Sequence, residues 1–250
     1  MNQRFLDELD LKRAYIFDLD GTLADSEKLQ WKAHKEVLKD MFNINLDDQH
    51  IFSYLGMADI LVLKQIEKDF NIDMGGEKGY EKYSKKRVKT AAKLVLKEAE
   101  PFPFVPRILD GKLGAKWFLV TAQNPKLVNK LLKKWDYLRY FNIDNTFICD
   151  ANHNKMFYYD YIKAKLVKNT EPGEIVLFED VNKYLSEGKA RDFMTVGIDN
   201  NFGNDKLVAD YIIKPSEDEV YKYEAPKEAP KAEVKEEAKP ETPAEEKKAE

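Results

Sequence analysis

The stretch Ala14-Tyr15-Ile16-Phe17-Asp18-Leu19-Asp20-Gly21-Thr22 decides how this chain is read. Four apolar residues in succession predict a short strand buried on both faces, as in a parallel sheet. The run then ends in two carboxylates one residue apart. Open parallel sheets bind ligands beyond the carboxyl ends of their strands, so Asp18 and Asp20 stand where chemistry is expected. Gly21 supplies the freedom to turn the chain sharply beside a bound anion, and that turn gives the two acids different surroundings. One can stay ionised as nucleophile and metal ligand while the other accepts and donates a proton.

Working outward, apolar runs of the same kind follow at Trp117 to Val120, Thr146 to Cys149, Ile175 to Phe178 and Thr195 to Ile198, with helical patterns between the later ones. This alternation predicts a parallel sheet covered by helices on both faces. Three more strand ends are chemically loaded. Thr121 follows the second run, Lys155 opens the helix after the third, and the pair Glu179 and Asp180 follows the fourth. Each is weak alone, since Asp-x-Asp-Gly occurs in turns and calcium loops, a threonine after a strand can cap a helix, and Lys155 fits a surface lysine. Four in order along one sheet argue for one site. Adjacent carboxylates ending a buried strand also repel each other and favour a cation between them and Asp18.

From Glu27 to Glu98 the alternation stops and only helical periodicities remain, broken at Asn43 to Asp48, at Gly56 and at Gly75-Gly76. The interval reads as a helical insertion after the first strand. Within it, Glu77 to Glu98 carries eight Lys or Arg, yet Tyr80, Tyr83, Ala91, Leu94 and Val95 recur at the spacing of one apolar face. A solvated amphipathic helix accounts for that stretch in preference to an anion-binding face. Pro101, Pro103 and Pro106 mark the return to the sheet. At the other end, Ala225 to Glu250 contains only Ala, Lys, Glu, Pro, Val and Thr. Such a segment cannot bury enough apolar surface to repay its ordering entropy, which predicts a disordered tail, a solubilising appendage in preference to a docking one.

Composition closes off other classes. With 41 Lys plus Arg against 45 Asp plus Glu, the net charge of −4 excludes a strongly basic nucleic-acid binder. No stretch approaches the roughly 20 apolar residues that span a bilayer, and the first residues hold no apolar core of signal-peptide length. The single cysteine, Cys149, closes no intrachain disulfide and is expected to pack inside the fold. The expectation is a soluble cytoplasmic protein with neither nucleic acid nor membrane as partner. His34, His50 and His153 form no cluster of ligand spacing, which argues against zinc. His153 and Asp150 read as an exposed loop, and Phe157, Tyr158, Tyr159 and Tyr161 as helix packing.

In these residues the chain resembles the haloacid dehalogenase-like hydrolase superfamily, whose four motifs match Asp18-Leu19-Asp20-Gly21-Thr22, Thr121, Lys155 and Glu179-Asp180 in order, over residues 13 to about 215. The resemblance implies an α/β fold: a Rossmann-like, three-layer parallel-sheet core with an inserted all-helical cap and a disordered C-terminal tail. The core would span 1–24 and 99–222, the cap 25–98 and the tail 223–250. The long insertion after the first motif is similar to the helical, C1-type cap of the branch that includes beta-phosphoglucomutase and phosphoglycolate phosphatase. Only 33 residues separate Thr121 from Lys155, which leaves no room for a second cap of that size. Gly56-Met57-Ala58 resembles the cap loop that enters the site, making Gly56 and Met57 substrate candidates.

The resemblance further implies Mg²⁺-dependent phosphoryl transfer through an aspartyl-phosphate. Asp18 would be the nucleophile and Asp20 the general acid and base. Mg²⁺ would be held by Asp18, the backbone carbonyl of Asp20 and Asp180, with Glu179 as ligand or just behind it. Thr121, Ala122 and Lys155 would grip the phosphoryl group. Several neighbours depart from the family pattern while the charged residues stay: Ala122 and Gln123 follow Thr121, Met156 follows Lys155, Val181 and Tyr184 replace a hydroxyl residue and a glycine, and Asp192 takes a glycine-like position. The leading expectation is a phosphatase acting on a small phosphorylated metabolite. A phosphosugar mutase of the same fold is the enzymatic alternative, and a catalytically weak or inactive interaction protein, with the tail as tether to an unnamed partner, is the non-enzymatic one.

Overall fold

In the computed structural model, which describes residues 3–54, 57, 59–111, 114–202, 206–215 and 219–222, β1 (Ala14–Phe17) is buried at every residue and paired on both sides. It runs parallel to β2 (Lys116–Thr121) on one side and to β4 (Ile175–Glu179) on the other. β3 (Thr146–Ile148) lies beyond β2, and β5 (Met194–Ile198), β6 (Tyr211–Lys214) and β7 (Glu219–Lys222) lie beyond β4. The order is therefore β3-β2-β1-β4-β5-β6-β7, parallel throughout except for the antiparallel β6–β7 pair. Because the chain moves outward from β1 to β2 and β3 and then returns to the opposite side with β4, the order reverses at β1, and a crevice forms beyond its carboxyl end.

The continuous apolar character of β1 is explained by helices on both faces. Tyr15 and Phe17 point to one face, where Phe17 stacks on Phe178 at 4.3 Å and packs with Leu119 and Val196. Ala14 and Ile16 point to the other and pack with Phe118, Val120 and Leu177. On the first face α1 (Gln3–Asp10) buries Phe5 and Leu9, and the Tyr15 hydroxyl donates to the Leu9 carbonyl at 2.6 Å. The expected three-layer α/β arrangement is present. The sheet extends two strands past the sequence reading, since β6 and β7 follow β5.

Residues Glu27 to Glu98 are helical as expected: α2 (Glu27–Phe42), α3 (Asp48–Tyr54), α4 (Asp59–Phe70) and α5 (Gly76–Glu98). Asn43 ends α2 in the left-handed region at φ 58°, a conformation asparagine tolerates. Val37, Leu38, Tyr54, Ile66 and Tyr83 form an apolar cluster of their own, whereas Ala91, Leu94 and Val95 near the end of α5 join the cluster of the sheet. The insertion leaves and returns at one point: the Phe102 N–H donates to the Leu23 carbonyl at 3.0 Å and the Asp25 N–H to the Glu100 carbonyl at 3.2 Å. Pro106 then sits in the first turn of α6 (Phe104–Gly111), where its missing N–H costs nothing.

α7 (Pro125–Lys134), α8 (Lys155–Tyr161) and α9 (Asn182–Lys189) complete the flanking layers. His34 is buried, and its Nδ1 lies 2.8 Å from the Tyr83 hydroxyl. Cys149 is half-buried, and its N–H extends the β2–β3 pairing by donating to the Thr121 carbonyl at 2.8 Å. His153 is half-buried and pairs with the exposed Asp150 at 3.3 Å. Of the aromatic group on α8, Tyr159 is buried and Tyr158 packs on Phe147, while Phe157 and Tyr161 remain exposed. No described helix is long and apolar enough to cross a membrane. The tail at 223–250 lies outside the described residues.

Candidate active site

Register places the acids. Phe17 stands opposite both Leu119 and Phe178, so Asp18 leaves β1 just as β4 presents Glu179. The Asp18 N–H still donates to the Phe178 carbonyl at 3.2 Å, which holds the first residue of the loop to the sheet. α8 delivers the matching cation. Asn154 caps that helix by accepting from the Phe157 N–H at 3.0 Å, and the cap puts Lys155 at the first helical position, facing the strand ends.

Buried Lys155 bridges two buried acids. Its Nζ lies 2.9 Å from Asp18 Oδ1 and also donates to Glu179 Oε1. The Tyr184 ring covers the same ammonium, its centroid 4.4 Å away. The second Glu179 oxygen, Oε2, accepts the backbone N–H groups of Asp180 and Val181 at 3.0 and 3.3 Å, so both oxygens of Glu179 are engaged within the protein. Asp18 differs: its Oδ2 has no hydrogen-bond partner among the described residues.

Asp20 occupies different surroundings, as the turn predicts. Its Oδ1 accepts from Ser26 Oγ at 2.6 Å and its Oδ2 from Gln123 Nε2 at 3.1 Å. Burial pushes its carboxyl up to about 6, with the Ser26 hydrogen bond pulling the other way and the Asp18 charge adding to the rise. Between the two acids and β4, Gly21 adopts φ +73°. A Cβ there would meet Asp180 Oδ2 at 2.1 Å, so the left-handed turn and the close approach both require glycine. Asp180 is fixed from two sides, accepting from Thr22 Oγ1 at 3.2 Å and from Asn200 Nδ2 at 3.1 Å. The same Asn200 amide donates to the Gly21 carbonyl at 2.9 Å.

Asp18, Glu179 and Asp180 each bring an oxygen within 4.8 Å of the others. Two of the three, Asp18 and Glu179, share the single ammonium of Lys155. Burial alone would push Lys155 down, but Asp18 and Glu179 beside it hold the ammonium well above its ordinary range. Burial pushes Glu179 up against the pull of Lys155, and raises Asp180 with the Asp18 charge adding to it. One ammonium thus faces three carboxyl groups, two of them with raised proton affinity, and a cluster of hard oxygen donors of this kind fits a divalent ion such as Mg²⁺. Glu27, in the first turn of α2, adds a further acid near Asp18, Asp20 and Asp180. Its carboxyl is pushed up to about 7 by burial and then by the charges of Asp20 and Asp18.

The structure thus gathers Asp18, Asp20, Lys155, Glu179 and Asp180 at neighbouring strand ends. Thr121 is buried at the end of β2 with its Oγ1 accepting from the Gln123 N–H at 3.1 Å, and Ala122 is exposed beside it. Met57 is half-buried against the apolar cluster of the insertion, and Gly56 lies outside the described residues. Sequence reading passed over Ser26, Thr22, Asn200 and Glu27 as partners of these acids. Asn200 was open to the same strand-end argument, because it stands two residues past β5.

A sheet that reverses at β1 and carries carboxylates beyond its central strands defines an α/β protein of Rossmann-like architecture. The pattern of the haloacid dehalogenase-like hydrolase family matches residues 15–198, and the chain belongs to that family. Solved structures agree in fold. A predicted phosphoglycolate phosphatase from Haemophilus somnus 129PT superposes with a TM-score of 0.66 at 18% identity, over 81% of this chain and 93% of that one. A protein described as a beta-phosphoglucomutase from Thermotoga maritima gives 0.63 at 20%, over 82% and 95%. A haloacid dehalogenase-like family hydrolase from Streptococcus pneumoniae gives 0.61 at 15%, over 83% and 96%. No curated protein matches the chain in sequence.

Proposed function

We propose that the protein is a Mg²⁺-dependent phosphatase of small phosphorylated metabolites that works through an aspartyl-phosphate. The observation that carries this reading is the contrast between the two acids of the first loop. Asp18 has one oxygen held by Lys155 and the other unengaged, while Asp20 is held apart by Ser26 and Gln123 with its proton affinity raised. Asp18 Oδ2 attacks phosphorus, the ester P–O bond breaks, and Asp20 gives its proton to the departing oxygen. Asp20 then takes a proton from water, whose oxygen attacks phosphorus and returns Asp18 to its free carboxylate as inorganic phosphate forms.

Lys155 offsets the repulsion between an anionic nucleophile and an anionic substrate, and the Thr121 hydroxyl and Ala122 backbone amide would grip the phosphoryl oxygens. When bound, Mg²⁺ supplies charge neutralisation there. Asp18, Asp180 and the Asp20 carbonyl would hold it, with Glu179 closing the cluster from behind. Helices α2 to α5, residues 25–98, would act as a cap that covers the site and excludes water. The test is release of inorganic phosphate from a panel of phosphomonoesters with and without Mg²⁺. Asp18→Asn is expected to abolish turnover and Asp20→Asn to slow it by about 10² to 10⁴. Unchanged rates in both variants would refute the assignment.

A further inference from the structure

A second feature begins where Asp20 ends. Gln123, whose side-chain amide holds Asp20, is also one of the residues lining a groove of about 990 Å³ between α5 and α7. The two helices are pinned at their far ends, where Lys134 Nζ and Trp135 Nε1 both donate to the Ala99 carbonyl at 2.8 and 3.3 Å. Towards Gln123 the groove is lined by both. Its floor is apolar, formed by Val88, Ala92, Leu96 and Leu127, and Val88 is 54% exposed.

The walls are cationic. Lys89 and Lys93 come from α5 and Lys126 and Lys130 from α7, each pair four residues apart and so on one side of its helix. None of the four has a carboxylate partner among the described residues, in contrast to Lys85 and Arg87, which also line the groove and pair with Glu81, its one acidic lining residue, and with Asp59. A merely solvated face would intersperse acids, yet α7 contains none. Lys126 even occupies its first turn, where the helix dipole disfavours a cation. Lysines of two separate helices thus line one groove beside an apolar floor, and an anion between them relieves their mutual repulsion.

We infer that the substrate is an elongated phosphomonoester with an apolar middle and a second anionic group, which this groove receives. The inference rests on the phosphatase reading, because Asp20 serves the leaving oxygen and the rest of the substrate therefore continues past Asp20 and Gln123. Lys126 and Lys130 stand three and seven residues beyond Gln123, so the second anion lies on the order of 10 Å farther along the groove. Binding of non-hydrolysable probes tests this without turnover. Octane-1,8-bisphosphonate is expected to bind the full-length protein at least tenfold more tightly than octylphosphonate in calorimetric titrations with Mg²⁺ present.

The double variant Lys126→Glu with Lys130→Glu should erase that preference, and the Lys126→Arg with Lys130→Arg variant should keep it. Equal affinity for the two probes, absence of binding by either, or a preference that survives charge reversal would overturn the inference. The two readings fail separately. Phosphate release from short monoesters without any bisphosphonate preference would sink the groove alone. A bisphosphonate preference in a protein that hydrolyses no phosphomonoester would sink the phosphatase reading alone.

Discussion

Replacing Gly21 by alanine tests the geometry of the acid cluster most directly. The added Cβ would lie 2.1 Å from Asp180 Oδ2 and 2.7 Å from Asn200 Nδ2. Reaching even a tight contact requires the carboxylate to retreat by about 1 Å. That retreat strains the hydrogen bonds that the Asp180 carboxylate accepts from Thr22 at 3.2 Å and Asn200 at 3.1 Å. A side chain at φ +73° costs about 1–2 kcal/mol in addition. A loosened hydrogen bond to a charged group brings the expected loss of unfolding free energy to about 2–4 kcal/mol. In catalysis a displacement of this size costs about 10² in rate. Urea unfolding gives the first quantity, and kcat/KM for a phosphomonoester across a Mg²⁺ titration gives the second, with the half-saturating Mg²⁺ concentration rising. A Gly21→Ala protein with unchanged stability, rate and Mg²⁺ requirement would show that Asp180 does not sit against the Gly21 backbone as described.

Lys155→Met leaves Asp18 and Glu179 buried without their shared ammonium, and a loss of about 3–5 kcal/mol is expected in denaturant unfolding at neutral pH; a loss under about 1 kcal/mol would contradict that pairing. His34 is lowered from 6.5 to about 3 by burial, then by the Arg87 charge, so between those values the unfolded chain takes up a proton that the folded one refuses. Its contribution is full above pH 6.5 and is lost as pH falls through that window, at about 1.4 kcal/mol per pH unit. Unfolding of His34→Gln between pH 6 and 5 should therefore show a slope shallower than wild type by about that amount, and parallel slopes would rule out a neutral buried imidazole. Asp192, exposed at φ 61°, holds a left-handed conformation just before β5, and Asp192→Gly should gain about 0.5–1 kcal/mol in urea unfolding, whereas a loss would count against strain there.

What was legible in the sequence follows burial. β1, β2, β4 and β5 are covered on both faces, so they appear as unbroken apolar runs, and the charged residues at their ends stand out against them. The helices of 27–98 were legible because their breaks fall at Asn43 and Gly75, residues suited to left-handed backbone. β6 and β7 escaped because β6 offers only three apolar residues before Lys214 and β7 only two, Val220 and Tyr221, between Glu219 and Lys222, so neither forms a run like that of β1. Ser26, Gln123 and Asn200 escaped for a different reason. Each makes one or two polar contacts that only the folded chain creates, and no periodicity marks them. The cation expected between Asp18 and Glu179 is supplied in part by Lys155 itself, a pairing across 24 residues that spacing does not reveal. The glycine-like position at Asp192 kept the backbone conformation and changed the residue.

The meeting of the chain at Leu23 and Phe102 also bears on how such a protein can change. Because the outgoing and incoming segments lie side by side, with Ala24 bridged to Pro101, the insertion is strung on the sheet from one clasp, and only the inner ends of α2 and α5 share the sheet's packing. The outer helices α3 and α4, whose buried residues lie in the separate cluster, can be lengthened or exchanged without shifting the register of β1 against β2, so the strand-end carboxylates stay where they are.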